Sequence, residues 1–262
     1  MDLGLSGFRA FVTGGTANIG LAIARALAYE GASVGICGRD SKRLDSAIAA
    51  LSAEGTAYGV TGDVTVPEQL ERAVGEVADK LGGLDILIAC AGGDIGGPWF
   101  PATTSEDWAA TLHLNVIHSA DATRAALPHL RRSTAGCVLF ISSITGWRPG
   151  PTAHYAAAKA ALIHLAASLA QELGPYGIRV NALSPGSVGD TDGWTEFARG
   201  NPEWFARFER EDFAMGRLVT VQQVADVACL VVSPRGAGIN GANITVDAGQ
   251  YRPHAYRFPT DV

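Results

Sequence analysis

The chain has 262 residues, of which 47% are hydrophobic and 18% charged, with a net charge of −6 and a sequence pI of about 5.5. That composition is ample for a sheet buried on both faces and too apolar for a disordered chain. Because no basic run exceeds Arg131-Arg132, the sequence argues against nucleic acid or an anionic membrane surface as a partner.

The four cysteines all fall inside apolar segments, with no close pair among Cys37, Cys90, Cys137 and Cys229. This spacing favours buried, reduced thiols over a disulfide framework or a zinc site, and it indicates a reducing compartment. The N-terminal residues lack a secretory signal, and no apolar run reaches the ~18 residues that span a bilayer. We therefore expect a cytoplasmic protein without a metal site and without a membrane partner.

The first strand, predicted at 8–13, leads directly into the glycine-rich turn Gly14-Gly15-Thr16-Ala17-Asn18-Ile19-Gly20. A helix predicted at 21–29 follows. A strand, a glycine-rich turn and a helix in this order bring backbone N–H groups and a helix N-terminus to one point, which suits a pyrophosphate. The turn is therefore a candidate dinucleotide-binding site.

Strands and helices alternate along the rest of the chain, with strands predicted at 32–37, 56–61, 84–89, 137–141, 178–183 and 243–246. Helices are predicted at 41–53, 67–81, 105–130, 152–173 and 221–232. This alternation predicts a doubly wound parallel sheet of about seven strands with helices on both faces, in a single domain over 1–262. Ligands of such sheets bind at the carboxyl ends of the strands. At or just beyond those ends lie Gly14, Arg39, Asp63, Cys90, Ser143 and Pro185.

A tyrosine and a lysine lie four residues apart in the helix predicted at 152–173, so Tyr155 and Lys159 share one face. A nearby cation favours the phenolate and lowers the pKa of a tyrosine from its usual value of about 10. Tyr155 is therefore a candidate general acid/base, with Ser143 as a hydrogen-bond partner for a substrate oxygen. The pair taken alone also fits an ordinary surface tyrosine beside a lysine.

Over residues 6–249 the chain resembles the classical short-chain dehydrogenase/reductase family, in which such motifs occur in the same order. They are Thr13-Gly14 through Ile19-Gly20, Asp63-Val64, Ala91-Gly92, Asn115, Ser143, Tyr155-Ala156-Ala157-Ala158-Lys159, Pro185-Gly186 and Val246-Asp247. The resemblance implies a Rossmann-type fold and a catalytic tetrad of Asn115, Ser143, Tyr155 and Lys159. Tyr155 would exchange the proton, Ser143 would hold the substrate oxygen, Lys159 would bind the nicotinamide ribose, and Asn115 would hold a water. Ser142 is a rival for the serine role.

The resemblance also implies cofactor contacts at Gly14, Thr16, Asn18, Ile19, Gly20, Arg39, Asp63, Val64, Ala91, Gly92, Tyr155, Lys159, Pro185, Gly186 and Val188. The chain departs from the family pattern in four places: the loop 146–155 is one residue shorter, the segment after Pro185-Gly186 has one residue more before Thr191, and two further departures are substitutions. The family usually has Gly where Asn18 stands, and its Asn-Asn-Ala-Gly stretch is here Ala89-Cys90-Ala91-Gly92. Asn tolerates positive φ better than other non-glycine residues, so the turn is expected to survive.

The residues after the second strand bear on the choice of cofactor. An acidic residue at its end would repel a 2′-phosphate, but Gly38 stands there and Arg39 follows at once. A guanidinium can hold a phosphate through two parallel hydrogen bonds. We therefore expect NADP(H), with NAD(H) as the alternative.

An aromatic-rich segment at 187–217 occupies the place where the family carries its mobile substrate lid, although core packing is the alternative for these rings. Candidate substrate contacts are Trp99, Trp147, His154, Trp194 and Trp204. The expected activity is hydride transfer between the nicotinamide and a secondary alcohol or ketone, with an apolar or aromatic small molecule as substrate. The alternatives are NAD-dependent oxidation of a cyclic alcohol or diol, and a non-catalytic nucleotide-sensing protein.

The resemblance further implies a homo-oligomer, a tetramer or a dimer, that pairs through the long helices at 105–130 and 152–173. The C-terminal tail, 250–262, is aromatic and contains proline. We expect it to pack against a neighbouring subunit.

Overall fold

In the computed structural model, which describes residues 2–95, 99–150 and 152–250, seven parallel strands form one sheet. The strands are β1 (Arg9–Thr13), β2 (Ser33–Gly38), β3 (Ala57–Thr61), β4 (Ile86–Ala89), β5 (Cys137–Ile141), β6 (Arg179–Pro185) and β7 (Asn243–Val246). Their order in the sheet is β3-β2-β1-β4-β5-β6-β7. The order reverses between β1 and β4, and a ligand of a doubly wound sheet binds at the carboxyl edge beside that reversal. The predicted fold class is confirmed.

Helices cover both faces of the sheet. They are α1 (Asn18–Tyr29), α2 (Ser41–Ser52), α3 (Pro67–Leu81), α4 (Ser105–Leu112), α5 (His118–Leu130), α6 (Ala153–Leu173), α7 (Asp192–Gly200), α8 (Pro202–Asp212) and α9 (Val221–Val232). Most of their ends agree with the sequence prediction within two residues, and two regions differ, as described below.

Side chains along the central strands alternate between two apolar cores, because successive residues of a strand point to opposite faces. Val12 lies in the core under α1, α2 and α9, whereas its neighbour Phe11 lies in the core under α3, α5 and α6. Val12 also pairs with Ile36 of β2 and Ile88 of β4. Each large side chain buried in this way contributes about 1.5–3 kcal/mol. With both faces covered, the carboxyl edge is the side of the sheet that remains open to a ligand.

The helix predicted over 105–130 is interrupted by a π-helical turn, His113–Ile117, between α4 and α5. Here the His118 N–H donates to the His113 carbonyl, five residues back, so the turn holds one extra residue. The Asn115 side-chain amide donates to the Thr111 carbonyl, four residues back, at 3.0 Å. Such turns are frequent at functional sites, and this one directs Asn115 toward the carboxyl edge.

The segment 187–217, called the lid below, contains two helices that the sequence did not predict, α7 and α8. Neither helix has a fully buried residue. A bridge between Val188 and Val219 closes the base of the segment. The lid is therefore a helical hairpin attached to the sheet at one end.

Gln250 ends the described residues and ties the loop after β6 to the rest of the carboxyl edge. Its side-chain oxygen accepts from the Ser187 N–H at 2.7 Å, and its carbonyl accepts from Arg148 at 2.7 Å. The tail contact predicted for 250–262 lies, apart from Gln250, outside the described residues. Among the helices of the described part of the chain, none is long and apolar enough to cross a membrane.

Candidate active site

A cleft of about 1140 Å³ lies at the carboxyl edge, between the sheet and the lid. Fourteen of the residues that the sequence assigned to cofactor or substrate line it: Gly14, Thr16, Asn18, Ile19, Gly20, Arg39, Asp63, Val64, Ala91, Gly92, Tyr155, Lys159, Trp194 and Trp204. They come from four strand ends, from α6 and from the lid. Residues that are distant in the sequence therefore line one cavity.

The glycine-rich turn packs tightly against the end of β4. Gly14 has a φ of 65°, and a Cβ there would lie 2.9 Å from the Cα of Ala91. The Thr13 hydroxyl accepts from the N–H groups of Cys90 and Ala91 at 3.0 and 3.1 Å. These contacts hold the ends of β1 and β4 together where the strand order reverses.

The N-terminus of α1 opens into this cleft. Its N-cap residue, Ala17, makes no side-chain capping bond, so the first N–H groups of the helix are not capped from within the turn. Uncapped N–H groups and the positive end of the helix dipole form a binding site for anions. The turn therefore fits the pyrophosphate of a dinucleotide, and Ile19 and Gly20 are the residues that would hold it.

Tyr155 and Lys159 line another part of the cleft together with Ser142, whereas Ser143 is not part of the lining and lies beside Tyr155. Ser143 interacts with the Tyr155 hydroxyl and lowers the pKa of that phenol, against the larger effect of burial. The Lys159 amine lies 5.5 Å from the centre of the Tyr155 ring and donates to the Ile141 carbonyl at 3.0 Å. The buried Ser142 hydroxyl instead donates to the Lys159 carbonyl at 2.8 Å, which ties β5 to α6. Ser143 is thus the serine that faces the tyrosine.

Burial has the largest effect on the pKa values of Tyr155 and Lys159. It raises the pKa of Tyr155 to about 12, an effect that the interaction with Ser143 reduces and the charge of Asp94 increases. Burial also lowers the pKa of Lys159 to about 8. The sequence led us to expect a lowered tyrosine pKa beside the lysine, and here that expectation is wrong because desolvation disfavours the charged form of both groups. Tyr155 is held as a neutral phenol.

Asn115 does not line the cleft but holds its wall beside Lys159. Its amide donates to the Gly93 carbonyl at 3.1 Å and accepts from the Gly93 N–H at 3.0 Å. A Cβ at Gly92 would lie 2.7 Å from the Asn115 oxygen and 3.4 Å from the Lys159 amine. The Asn115 carbonyl accepts from the Ser119 hydroxyl at 3.0 Å. The described contacts of Asn115 are therefore structural bonds to the loop after β4 and to its own helix.

Arg39 lies at the rim of the cleft, just beyond β2. Its side chain is 77% exposed, and its guanidinium is 3.7 Å from the Asp63 carboxylate. Burial alone would raise the pKa of Asp63, but hydrogen bonds from Thr65 and the charge of Arg39 hold it below its usual value. A weak, exposed ion pair of this kind leaves the guanidinium available to a phosphate.

Several predicted site residues lie outside the cleft lining. His154 is fully buried, and its ring packs edge-on against Trp108 at 6.1 Å. Trp147 is half-exposed, and the Arg148 guanidinium lies over its ring, 4.3 Å from the ring centre. Trp99 is 78% exposed. Three further predicted contacts are not part of the lining: Pro185, which ends β6, and Gly186 and Val188 just beyond it. In this structure none of these residues contacts the space beside Tyr155.

The lid presents aromatic rings to the cleft and stacks others behind them. Trp194, Phe197 and Trp204 line the cavity. Trp194 and Trp204 stack on Phe208 with ring centres 5.4 and 4.9 Å apart, and Phe208 packs edge-on against the fully buried Phe213. The sequence left core packing and substrate covering as alternatives; Phe213 is packed in the core, and substrate covering by the rings that line the cleft stays a prediction.

Sequence reasoning missed Asp94, which also lines the cleft. Its carboxylate accepts from the Thr152 hydroxyl at 3.0 Å, and its negative charge acts on Tyr155. Asp94 stands two residues beyond Gly92, on the loop that leaves β4. That position after a central strand was the available signal.

The comparisons agree with this geometry. A family model described as enoyl-(acyl carrier protein) reductase matches residues 14–250. A solved short-chain dehydrogenase from Burkholderia cenocepacia, in complex with NADP, is 35% identical, with a TM-score of 0.82 over 94% of this chain and 98% of its own. The chain belongs to the short-chain dehydrogenase/reductase family. It is an NAD(P)-dependent oxidoreductase that acts on CH–OH groups.

Other members of the family show what the chain is similar to. Isoepoxydon dehydrogenase from Penicillium expansum is 32% identical over 95% of this chain and 96% of its own length. Meso-2,3-butanediol dehydrogenase from Serratia marcescens is 33% identical over 91% and 92% of the two chains. L-sorbose reductase from Gluconobacter frateurii, solved with NADPH and L-sorbose, is 29% identical with a TM-score of 0.90, covering 96% and 99%.

Proposed function

We propose that this oxidoreductase is NADP(H)-dependent and reduces a ketone, or oxidises the matching secondary alcohol, through Tyr155, Ser143 and Lys159. The observation that carries the proposal is the proximity of Tyr155 to Ser143 and to the Lys159 amine, beside a cleft that also contains an uncapped helix N-terminus. A protein that only sensed a nucleotide would need the second feature and not the first.

Each side chain has a distinct part in the reaction. When bound, the nicotinamide supplies or accepts the hydride. Tyr155 donates the proton of its hydroxyl to the substrate oxygen in the reductive direction and takes it back in the oxidative one. The Ser143 oxygen accepts from the Thr145 N–H at 3.2 Å, so its own O–H can hold the substrate oxygen. A charged Lys159 stabilises the phenolate that remains after proton transfer.

Arg39 is proposed to select NADPH over NADH. Replacement by Ala is expected to raise KM for NADPH about ten- to a hundredfold, because charge-assisted hydrogen bonds to the 2′-phosphate are lost. The KM for NADH should change much less, since NADH lacks that phosphate. Initial rates with each cofactor measure the effect.

Arg43→Ala is the matched control for this prediction, because Arg43 is an exposed arginine of α2 that does not line the cleft. It should leave both KM values unchanged. Equal losses for both cofactors in Arg39→Ala, or a wild-type enzyme that prefers NADH, would contradict the proposal.

The substrate proposed for the cleft has an apolar or aromatic body. Support comes from Trp194, Phe197 and Trp204, which line the space between the lid and Tyr155. Stacked and edge-to-face contacts with such rings are favourable beyond the area they bury. Apolar or aromatic ketones should therefore exceed small sugars in kcat/KM.

A second candidate is oxidation of a cyclic alcohol or diol with NAD. It is favoured by Asp94, whose carboxylate lies near enough to Tyr155 to raise its pKa and can accept a hydrogen bond from a second substrate hydroxyl. The names of the relatives from Penicillium expansum and Serratia marcescens point to hydroxylated substrates of their own.

One experiment separates these functions. Reduction and oxidation rates are measured spectrophotometrically with both cofactors against aromatic ketones, their α-hydroxy derivatives, cyclic alcohols, diols and sugars. Turnover of aromatic ketones with NADPH supports the first candidate, and turnover of diols with NAD supports the second. Nucleotide binding without turnover of any compound would favour a sensor and overturn both.

A homo-oligomer paired through α4, α5 and α6 remains a prediction, as does a cytoplasmic location. The location is supported by four cysteines that are all unpaired in the structure. For the assembly, light scattering that returned the 27.2 kDa mass of one chain would contradict the prediction.

A further inference from the structure

Asn18 makes a contact that its place in a cofactor-binding turn does not require. It has a φ of 48°, a conformation that glycine adopts more readily than any other residue. Its side-chain oxygen accepts from the Asp192 N–H at 3.0 Å. Asn18 begins α1 and Asp192 begins α7, so this bond joins the glycine-rich turn to the lid.

The bond substitutes for an N-cap that α7 lacks. The residue at the N-cap position, Thr191, makes no capping bond, and its hydroxyl donates to the Val188 carbonyl at 2.9 Å. The first N–H groups of a helix need acceptors, which a Ser, Thr, Asp or Asn side chain usually supplies from the preceding residue. In this protein Asn18 supplies the acceptor from the other side of the cleft.

The lid is anchored at its two ends, by Val188 and Phe213, but the helices between them are packed shallowly. No residue of α7 or α8 is fully buried, and segments with little burial open locally at low cost in free energy. Trp194 follows Asp192 by two residues and lines the cleft. The rings of Trp194, Phe197 and Trp204 that line the cleft form its aromatic wall. A bond at Asp192 therefore holds the start of this wall in place.

We propose that Asn18 is a positioning residue that fastens the lid to the dinucleotide-binding turn and so holds the aromatic rings over the substrate space. The attachment itself is independent of the proposed function, whereas its effect on substrate binding depends on the aromatic wall proposed above. Two readouts keep these parts separate.

The first readout is limited trypsin digestion of the enzyme without added substrate. Arg199, Arg207 and Arg210 lie in α7 and α8 and become cleavable when the lid opens. Asn18→Gly removes the acceptor and suits the positive φ, so the fold is kept. Cleavage within the lid should accelerate about three- to tenfold, the change expected from one lost hydrogen bond.

The donor side provides an independent variant. Asp192→Pro removes the N–H, and proline fits the first position of a helix; Thr191 already has the extended conformation, φ −75° and ψ 154°, that precedes proline. It should accelerate cleavage to the same extent as Asn18→Gly, and the double variant should be no faster than either. Asp192→Ala keeps the N–H and Asn18→Asp keeps an acceptor oxygen, so both should digest like the wild type.

The second readout is steady-state kinetics. At saturating NADPH, Asn18→Gly should raise KM for the aromatic ketone that the wild type turns over best about three- to tenfold, since the loss lies in binding of the ketone and not in proton transfer. Wild-type cleavage rates in Asn18→Gly, or additive effects in the double variant, would overturn the attachment. Faster cleavage with an unchanged substrate KM would leave the bond structural and overturn the positioning role.

Discussion

Tyr155→Phe is expected to lower kcat by about 10²–10⁴-fold, the usual contribution of general acid/base catalysis. The hydroxyl that would exchange the proton is lost, while the ring and its packing against the Lys159 amine, 5.5 Å away, are kept. The dissociation constant for NADPH should therefore stay close to that of the wild type. Steady-state rates and fluorescence titration with NADPH measure the two quantities.

Variants at another tyrosine and at the two serines serve as controls for this prediction. Tyr176→Phe, at a half-exposed tyrosine stacked on Arg131, should be silent. Ser143→Ala should reduce kcat, whereas Ser142→Ala breaks the bond to the Lys159 carbonyl and should mainly lower the melting temperature. A Tyr155→Phe enzyme that keeps more than roughly a tenth of wild-type turnover would contradict the acid/base role.

Lys159→Met is expected to change how stability depends on pH. In the folded wild type burial lowers the pKa of Lys159 from 10.5 to about 8, so the unfolded chain binds more protons between these values. The free energy of unfolding of the wild type should therefore rise with pH through that window, relative to the variant. Since each pKa unit corresponds to about 1.4 kcal/mol, the full change is about 3 kcal/mol. Below about pH 8 the difference between the two proteins should be constant.

Denaturant unfolding of both proteins without cofactor, at several values between about pH 7 and about pH 10, measures this difference. The variant should also lose activity at every pH. Lys42→Met, at an exposed lysine of α2, is the control for the loss of a lysine side chain as such. A flat difference for Lys159→Met would mean that the folded protein solvates the amine more fully than its burial implies.

The sheet could be predicted from sequence because burial on both faces leaves unbroken apolar runs such as 137–141 between turn residues. Two features then indicated that the site lies at the carboxyl edge of the sheet. They are the glycine-rich turn followed by a helix, and the serines at the end of β5. The fold class, the family and the oxidoreductase chemistry are confirmed. The individual residue roles in the tetrad and the choice of cofactor contacts stay predictions, although the geometry brings most of those residues together.

The parts that could not be predicted depend on contacts between distant residues. The π-helical turn at Asn115 arises from a side-chain bond to Thr111 and from packing against Gly93, neither of which changes the helical periodicity. His154 adjoins Tyr155 in sequence, but the next residue on a helix points about 100° away, and this one packs on Trp108. The helices of the lid, by contrast, did leave a signal in the sequence, because Trp194 and Phe197 lie three residues apart and Trp204 and Phe208 four, the spacing of one helix face.

The shallow attachment of the lid has a consequence for how this protein can diverge. Because no residue of α7 or α8 is fully buried, substitutions there cost the sheet little free energy and escape the selection that preserves the core. Mutations that reshape the aromatic wall can accumulate while strand pairing and the acid/base pair stay intact. New specificities can therefore arise in this segment by small steps, without an unstable intermediate.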